Sequence, residues 1–173
     1  HIACISKVSY DIVKNVAPTV PSKYIPHAVN TDIFKPMSQE ERRQLREANF
    51  HPDDLDKFVI FWNNRNARRK QSGTLIWWFK EWMEEKNLQG KVQLIMHTEP
   101  KDMHGQDLNH IVDRLGLNNR EVLFSTQKMP LDKMPTLYNL ADVTVNISDA
   151  EGFGLATLES LACGVPIVVT ETG

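Results

Sequence analysis

The segment from Glu151 to Glu159 encloses two glycines, Gly152 and Gly154, between two carboxylates. It follows an apolar run at residues 143–147 that is typical of a buried strand, and the pattern after Gly154 is helical. The first amides of a helix lack intrahelical acceptors and lie at the positive end of its dipole, so they bind anions. Glycine lets a phosphate approach closely because it carries no β-carbon. The amides of Phe153, Gly154 and Leu155 are predicted to donate hydrogen bonds to a phosphate.

Glu159 lies at the edge of the apolar stripe of this predicted helix. It is the only charged residue between positions 155 and 164, and a carboxylate among apolar side chains needs a partner. The two hydroxyls of a ribose would supply one, as they do for acidic residues in dinucleotide sites. A partly exposed glutamate that pairs with a neighbouring basic side chain explains the residue equally well. The residues alone leave both interpretations open.

A second group of charges follows the apolar run at residues 58–62, where Arg65 and Lys70 occur in a polar loop. Two cations there could bind a diphosphate that the amides after Gly152 also hold. They could offset the negative charge that develops on a nucleotide diphosphate as it leaves, so no metal ion would be needed. The common explanation of such a run is a solvated basic face or a nucleic-acid patch. The formal net charge of −2 gives nucleic-acid binding no support, and the position at a strand end favours the diphosphate.

Two other kinds of chemistry receive little support. His97, Glu99, Asp102 and His104 could suggest a metal cluster, but they lack the regular spacing of helical ligands and are better explained as a loop. No Gly-x-Ser-x-Gly sequence is present, so a serine hydrolase is not indicated.

Composition indicates an ordinary globular protein. The 173 residues are 41% hydrophobic and 24% charged. Cys4 and Cys163 stand alone and are expected to be reduced. No apolar run reaches the roughly 20 residues of a membrane helix, so we expect a soluble, cytoplasmic chain. Because it opens without Met and within an apolar run, we expect sequence upstream of His1.

Strand and helix patterns alternate from residue 58 onward, which predicts an α/β fold with a parallel, Rossmann-like sheet covered by helices on both faces. Predicted strands span residues 58–62, 92–96, 122–124, 143–147 and 166–170, and predicted helices span residues 75–83, 108–115, 131–141 and 155–163. Ligands bind such sheets at the carboxyl ends of the strands. The loop at residues 125–129 lies there, and its backbone is predicted to meet the base of a nucleotide near Gln127 and Met129.

The residues before this rhythm have a different character. An apolar run at residues 2–5 precedes a helix that Ser6 would cap, and both resemble the end of another domain. Four prolines between positions 18 and 36 then indicate an extended connector. A polar helix should follow at residues 38–50, because Ser38 and Glu41 have the spacing of a capping box.

Taken together, three motifs resemble family 4 glycosyltransferases. The two glutamates of the 151–159 segment, with Gly164, Val165 and Pro166 after them, resemble the acidic signature of that family. Arg65 and Lys70 resemble its diphosphate-binding pair, and residues 24–36 are similar to its interdomain connector. Ala28 and Asn30 replace the more usual glycine and aspartate of the connector, and Asn64 stands where a glycine commonly precedes the arginine.

The resemblance implies the C-terminal half of a GT-B fold, preceded by the tail of the N-terminal domain. It implies a remnant of the acceptor-side domain at residues 1–22, the connector and polar helix at residues 23–57, and a truncated nucleotide-sugar domain at residues 58–173. Glu151 would contact the hydroxyls of the donor sugar and Glu159 the ribose. Arg65 and Lys70 would neutralise the diphosphate, while the amides of Phe153 and Gly154, with Leu155, would complete its cradle.

The resemblance further implies a retaining hexosyltransferase that uses a nucleotide diphosphate-sugar as substrate and needs neither bound metal nor other cofactor. The acceptor, whether carbohydrate, lipid or protein, stays open. These residues alone are expected to transfer nothing, and any membrane association is expected through parts outside them. Two alternatives are a sugar-nucleotide epimerase of the same fold and a non-catalytic nucleotide-sugar-binding module, because fold alone does not prove function.

Overall fold

The structure is a computed structural model that describes residues 1–172. Strands and helices alternate along most of this part of the chain. The strands are β1 (Ile2–Cys4), β2 (Ser22–Tyr24), β3 (Phe58–Asn63), β4 (Val92–His97), β5 (Val122–Ser125), β6 (Val143–Asn146) and β7 (Ile167–Val169). The helices are α1 (Lys7–Val16), α2 (Gln39–Asn49), α3 (Ser72–Glu85), α4 (Leu108–Leu115), α5 (Met134–Leu140) and α6 (Leu155–Ala162).

The main sheet contains five strands in the order β5-β4-β3-β6-β7, and all of its pairings are parallel. This confirms the predicted α/β class, and each predicted strand and helix of the region is present within a few residues of its expected bounds. The chain first builds the sheet outward from β3 to β5 and then returns to place β6 on the other side of β3. The connections that leave β3 and β6 therefore pass to opposite sides of the sheet. The carboxyl ends of these two strands form a topological switch point, where parallel sheets bind ligands.

Helices cover both faces of the sheet because the strands are apolar on both sides. One core lies under α3 and α4 and includes Trp62, Ile76 and Leu94, all fully buried. The other lies under α5 and α6 and includes Phe61 and Tyr138. Neighbouring residues of β3 thus point into different cores, as the alternation of a strand requires.

The first part of the chain forms a small parallel pair, in which β1 and β2 lie side by side and α1 connects them. The side chain of Ser6 accepts a hydrogen bond from the amide of Ser9, as predicted for an N-cap. The β2 strand was not predicted, because its sequence Ser-Lys-Tyr is short and polar. The domain boundaries expected from the sequence remain predictions.

Helix α2 is attached to the five-stranded sheet by two arginines. Its capping box between Ser38 and Glu41 is present, as predicted. Arg46 donates to the carbonyl of Leu140 at 2.8 Å and to Asp142 Oδ2 at 2.7 Å, and Arg42 donates to the carbonyl of Ala141 at 2.7 Å. The connector helix is therefore bound to the turn between α5 and β6.

Candidate functional site

The loops after β3 and β6 meet through an ion pair between Lys70 and Glu151. The Lys70 side chain is 9% exposed and that of Glu151 is 14% exposed. Lys70 ends a short 3-10 turn at Arg68–Lys70, which directs it from the end of β3 toward the loop after β6. A buried cation requires a partner, and the first carboxylate of the acidic signature provides it. Two of the residues that were predicted to share a site are thus in contact.

Glu151 has a second donor in the amide of Asn146, whose Nδ2 lies 3.0 Å from Oε1. The Asn146 side chain is itself fixed, because its Oδ1 accepts from Ser148 Oγ at 2.6 Å. Burial raises the pKa of Glu151, but hydrogen bonds from Lys70 and Asn146 oppose this effect and the net pKa is lowered. The carboxylate is therefore ionised at neutral pH and is held in one orientation.

Arg65 does not contact the loop after β6. Its Nε lies 2.6 Å from Asp102 Oδ2 and its Nη2 lies 3.1 Å from Oδ1, while its side chain is 62% exposed. The hydrogen bond from Arg65 lowers the pKa of Asp102 to about 2. The basic side chain that reaches the loop is Arg69, whose Nη1 lies 2.5 Å from the carbonyl of Ala150 and 3.6 Å from Glu151 Oε2. Arg69 was not among the residues predicted for the site.

Asn66 joins the two loops on which Arg65 and Asp102 lie. It is fully buried, and its Nδ2 donates to the carbonyls of Gln106 at 2.7 Å and Pro100 at 3.2 Å. Its Oδ1 accepts from Ser72 Oγ at 2.8 Å and from the amide of Gln106 at 3.3 Å. The side chain therefore uses both its donors and its acceptor to hold the loop after β3 against the loop after β4.

The start of α6 offers free backbone donors beside Glu151. Gly154 is the N-cap and has a φ of 81°, which favours glycine. Within residues 1–172, the amides of Phe153, Gly154 and Leu155 donate to no protein acceptor. The Phe153 ring packs edge-on against His27 with 5.2 Å between the ring centroids. A cavity of about 260 Å³ opens in front of this loop and is lined by Glu151, Gly152, Phe153, Ser6, Lys7 and Tyr24.

Glu159 is paired with a hydroxyl and not with the basic side chain considered from the sequence. Its Oε2 accepts a hydrogen bond from Tyr138 Oη at 2.6 Å. The Tyr138 hydroxyl oxygen in turn accepts from Asn63 Nδ2 at 2.8 Å. Burial raises the pKa of Glu159, the hydrogen bond from Tyr138 lowers it, and the net pKa is raised. Burial and the neighbouring Glu159 charge also raise the pKa of Tyr138, so the phenol keeps its proton.

The raised pKa of Glu159 predicts a pH-dependent effect of Glu159→Gln on stability. A raised folded-state pKa stabilises the fold below the unfolded pKa, and this contribution is lost as pH rises through the folded pKa. At pH 7 the ionised Glu159 therefore opposes folding, and glutamine removes that cost. In urea titrations, the free energy of unfolding of the variant minus that of the parent should therefore be larger at pH 7 than at pH 4, because the substitution stabilises the fold only where Glu159 is ionised.

The control for this prediction is Glu81→Gln, because Glu81 is exposed on α3. Its effect on the unfolding free energy should be the same at both pH values. An effect of Glu159→Gln that is equal at pH 4 and pH 7 would contradict the prediction.

The loop predicted to meet the base follows β5. Ser125 Oγ lies 2.9 Å from His97 Nδ1, which ties the ends of β5 and β4 together. Gln127 is exposed and Met129 is partly exposed. Their roles stay predictions.

Two further properties concern the described residues only. Within residues 1–172, no group of three or more His, Cys, Asp or Glu side chains is arranged to hold a metal ion. None of the helices in that part of the chain has the length and apolarity needed to cross a bilayer.

Comparison with known proteins extends this description. The family model described as "Glycosyl transferases group 1" matches residues 57–173. The D-inositol 3-phosphate glycosyltransferase of Corynebacterium jeikeium is 27% identical over 160 residues, which cover 91% of this chain and 37% of that protein. The enzyme of the same name from Mycolicibacterium paratuberculosis is 27% identical over 148 residues, covering 84% of this chain and 30% of that protein. The chain spans 10% to 37% of the length of the curated relatives it matches.

Solved structures show the same fold. Sucrose-phosphate synthase from Thermosynechococcus elongatus superposes with a TM-score of 0.78 at 24% identity, covering 99% of this chain and 40% of that one. Anabaena Alr3699/HepE, solved in complex with UDP, superposes with a TM-score of 0.75 at 23% identity, covering 99% of this chain and 44% of that one.

Proposed function

The chain belongs to the group 1 glycosyltransferases, and on that premise we propose that it binds the nucleotide diphosphate-sugar donor of a retaining sugar transfer. The observation that carries the proposal is the contact between Lys70 and Glu151 at the switch point of the sheet. It places a buried cation and a half-buried carboxylate beside the amides at the start of α6, which have no protein acceptor within residues 1–172. A sugar diphosphate needs both kinds of partner, because its phosphates are anionic and its hydroxyls are donors.

Lys70 and the amides of Phe153 and Gly154, together with Leu155, would hold the diphosphate. Phosphate oxygens are stabilised by the ammonium group and by the helix dipole. Charge that grows on the departing diphosphate is offset by the same groups, so the transfer proceeds without a metal ion. Glu151, ionised and held by Asn146, would accept hydrogen bonds from hydroxyls of the donor sugar.

Arg65 would join this site by exchanging partners. The Arg65 side chain of the pair is 62% exposed, although that of Asp102 is 12% exposed, and an exposed side chain contributes little stability through an ion pair. A bound diphosphate could therefore take the guanidinium from Asp102, whose Oδ1 would keep the hydrogen bond from the amide of His104. Glu159 would hold the ribose, and the loop with Gln127 and Met129 would meet the base.

The acceptor is proposed only by class. The relatives named above are D-inositol 3-phosphate glycosyltransferases, so a phosphorylated cyclic polyol is the first acceptor to try with the whole protein. The expectation that these 173 residues alone transfer no sugar, and the cytoplasmic location, stay predictions.

Calorimetric titration of the chain with UDP, GDP and ADP tests the proposal. We expect measurable binding of at least one diphosphate, because the lysine and the free amides recognise the part that all three share. Adding the matching nucleotide sugars should show whether the sugar contributes. No binding of any of the six ligands would contradict the proposal. Conversion of a labelled nucleotide sugar into its epimer, without transfer, would favour an epimerase.

A further inference from the structure

We infer that Tyr138 is the positioning residue that aims Glu159 at the ribose of the donor. This inference rests on the proposed function and adds to it a residue of α5, outside the segments that carry the family motifs. Tyr138 is fully buried, and its hydroxyl lies 2.6 Å from Glu159 Oε2.

The Tyr138 ring has little freedom to move. Phe61 of β3 packs edge-on against it with 5.3 Å between centroids, and Phe34 packs against it at 6.2 Å. Close packing on both sides keeps a buried aromatic ring in one rotamer. The hydroxyl is therefore a fixed point against which the Glu159 side chain is placed.

The direction of the hydrogen bonds is also fixed. An ionised carboxylate can only accept, so the Tyr138 proton points at Glu159. The hydroxyl oxygen then accepts from Asn63 Nδ2 at 2.8 Å. Within residues 1–172, Glu159 Oε1 accepts no hydrogen bond from the protein. One carboxylate oxygen is thus held by the protein, and the other is left for the two hydroxyls of a ribose.

Asn63 connects this arrangement to the diphosphate site. It is the last residue of β3, and the loop that follows it leads to Lys70. The end of β3 therefore helps to position both the group proposed for the ribose and the group proposed for the phosphate. A shift of Tyr138 would change the ribose contact while the Lys70 contact stays in place.

The test compares a ribonucleoside diphosphate with its 2′,3′-dideoxy counterpart. The probe is whichever of UDP, GDP and ADP the parent chain binds most tightly, and its dideoxy form is the second ligand. We expect the parent to prefer the ribose form at least about tenfold, because a site built for hydroxyls rejects an analogue that lacks them. No binding of any diphosphate would remove the proposed function, and this inference with it.

Tyr138→Phe should reduce that preference to about threefold or less while the affinity for the dideoxy form stays within about twofold of the parent. Tyr10→Phe is the matched control, because Tyr10 lies on α1 and its hydroxyl makes no hydrogen bond within the described residues. In a Glu159→Ala background, Tyr138→Phe should have no further effect on the preference, since the tyrosine acts through that carboxylate.

A purely structural tyrosine gives a different result. If Tyr138→Phe weakens both ligands equally, or leaves the ribose preference intact, the inference is wrong. Should Tyr138→Phe fail to fold, Asn63→Ala decides, because it frees the hydroxyl while the ring stays packed. That variant should have a preference between those of the parent and of Glu159→Ala, and an unchanged preference would overturn the inference.

Discussion

Lys70→Ala is expected to weaken binding of the nucleotide diphosphate at least tenfold, which corresponds to about 1.4 kcal/mol. The substitution removes the buried ammonium group that pairs with Glu151 and leaves that carboxylate ionised beside the phosphates. Loss of attraction and unscreened repulsion therefore act in the same direction. Calorimetric titration with the diphosphate that the parent chain binds measures the effect directly.

A structural explanation of that loss has to be separated from a direct one. Lys70→Ala also leaves the half-buried Glu151 carboxylate without its cation, which destabilises the fold. The double variant Lys70→Met/Glu151→Gln removes both charges, so it should recover stability in urea titrations. Its diphosphate affinity should stay below that of the parent, because the ammonium group is still missing.

Lys80→Ala is the control for a lost lysine, since Lys80 pairs with Glu84 on the surface of α3. It should leave affinity unchanged. An unchanged affinity in Lys70→Ala itself would contradict the assignment of the diphosphate site.

Asn66→Ala should lower the free energy of unfolding by about 3 kcal/mol. The substitution deletes a fully buried amide that makes four hydrogen bonds. It leaves the carbonyl of Gln106 without its donor, while the carbonyl of Pro100 keeps the amide of Leu108. Buried polar groups without partners account for most of the expected loss. Urea titration at pH 7 followed by tryptophan fluorescence measures it.

Gly105 lies against Asn66 at the point where the two loops meet. A β-carbon at that position would lie 2.3 Å from the carbonyl oxygen of Asn66, so the two loops approach too closely for any larger residue.

Asn109→Ala is the control for Asn66→Ala, because Asn109 is exposed on α4. It should change the unfolding free energy by less than about 0.5 kcal/mol. If Asn66→Ala costs no more than this control, Asn66 does not hold the two loops together.

The local features of the fold could be predicted because they depend on neighbours in sequence. The capping box at Ser38, the N-cap at Ser6 and the alternation of strands and helices all follow from patterns within a few residues, and all are present. The β2 strand could not be predicted, since Ser-Lys-Tyr pairs with β1 only because the chain returns there.

The site could be predicted only to the level of which loops it uses. Position at the carboxyl end of β3 brought Lys70 and Glu151 together as expected. The same argument could not tell Arg65 from Arg69, because a loop's path decides which arginine turns toward Glu151 and which toward Asp102. Tyr138 and Glu159 lie on different helices, and their hydrogen bond depends on how α5 and α6 pack. Sequence spacing carries no information on that packing.

The attachment of α2 by Arg42 and Arg46 determines where the chain can bend. The two arginines bind the helix to the turn between α5 and β6, and Phe34, which is 2% exposed, lies in the core beneath α5. Any swing of the β1–α1–β2 unit would therefore pivot upstream of these anchors, at the exposed residues 25–28. His27 belongs to that pivot, and its ring packs against Phe153 of the loop that follows β6. Movement of the β1–α1–β2 unit about such a hinge would therefore shift the Phe153 ring and change the width of the cavity in front of it.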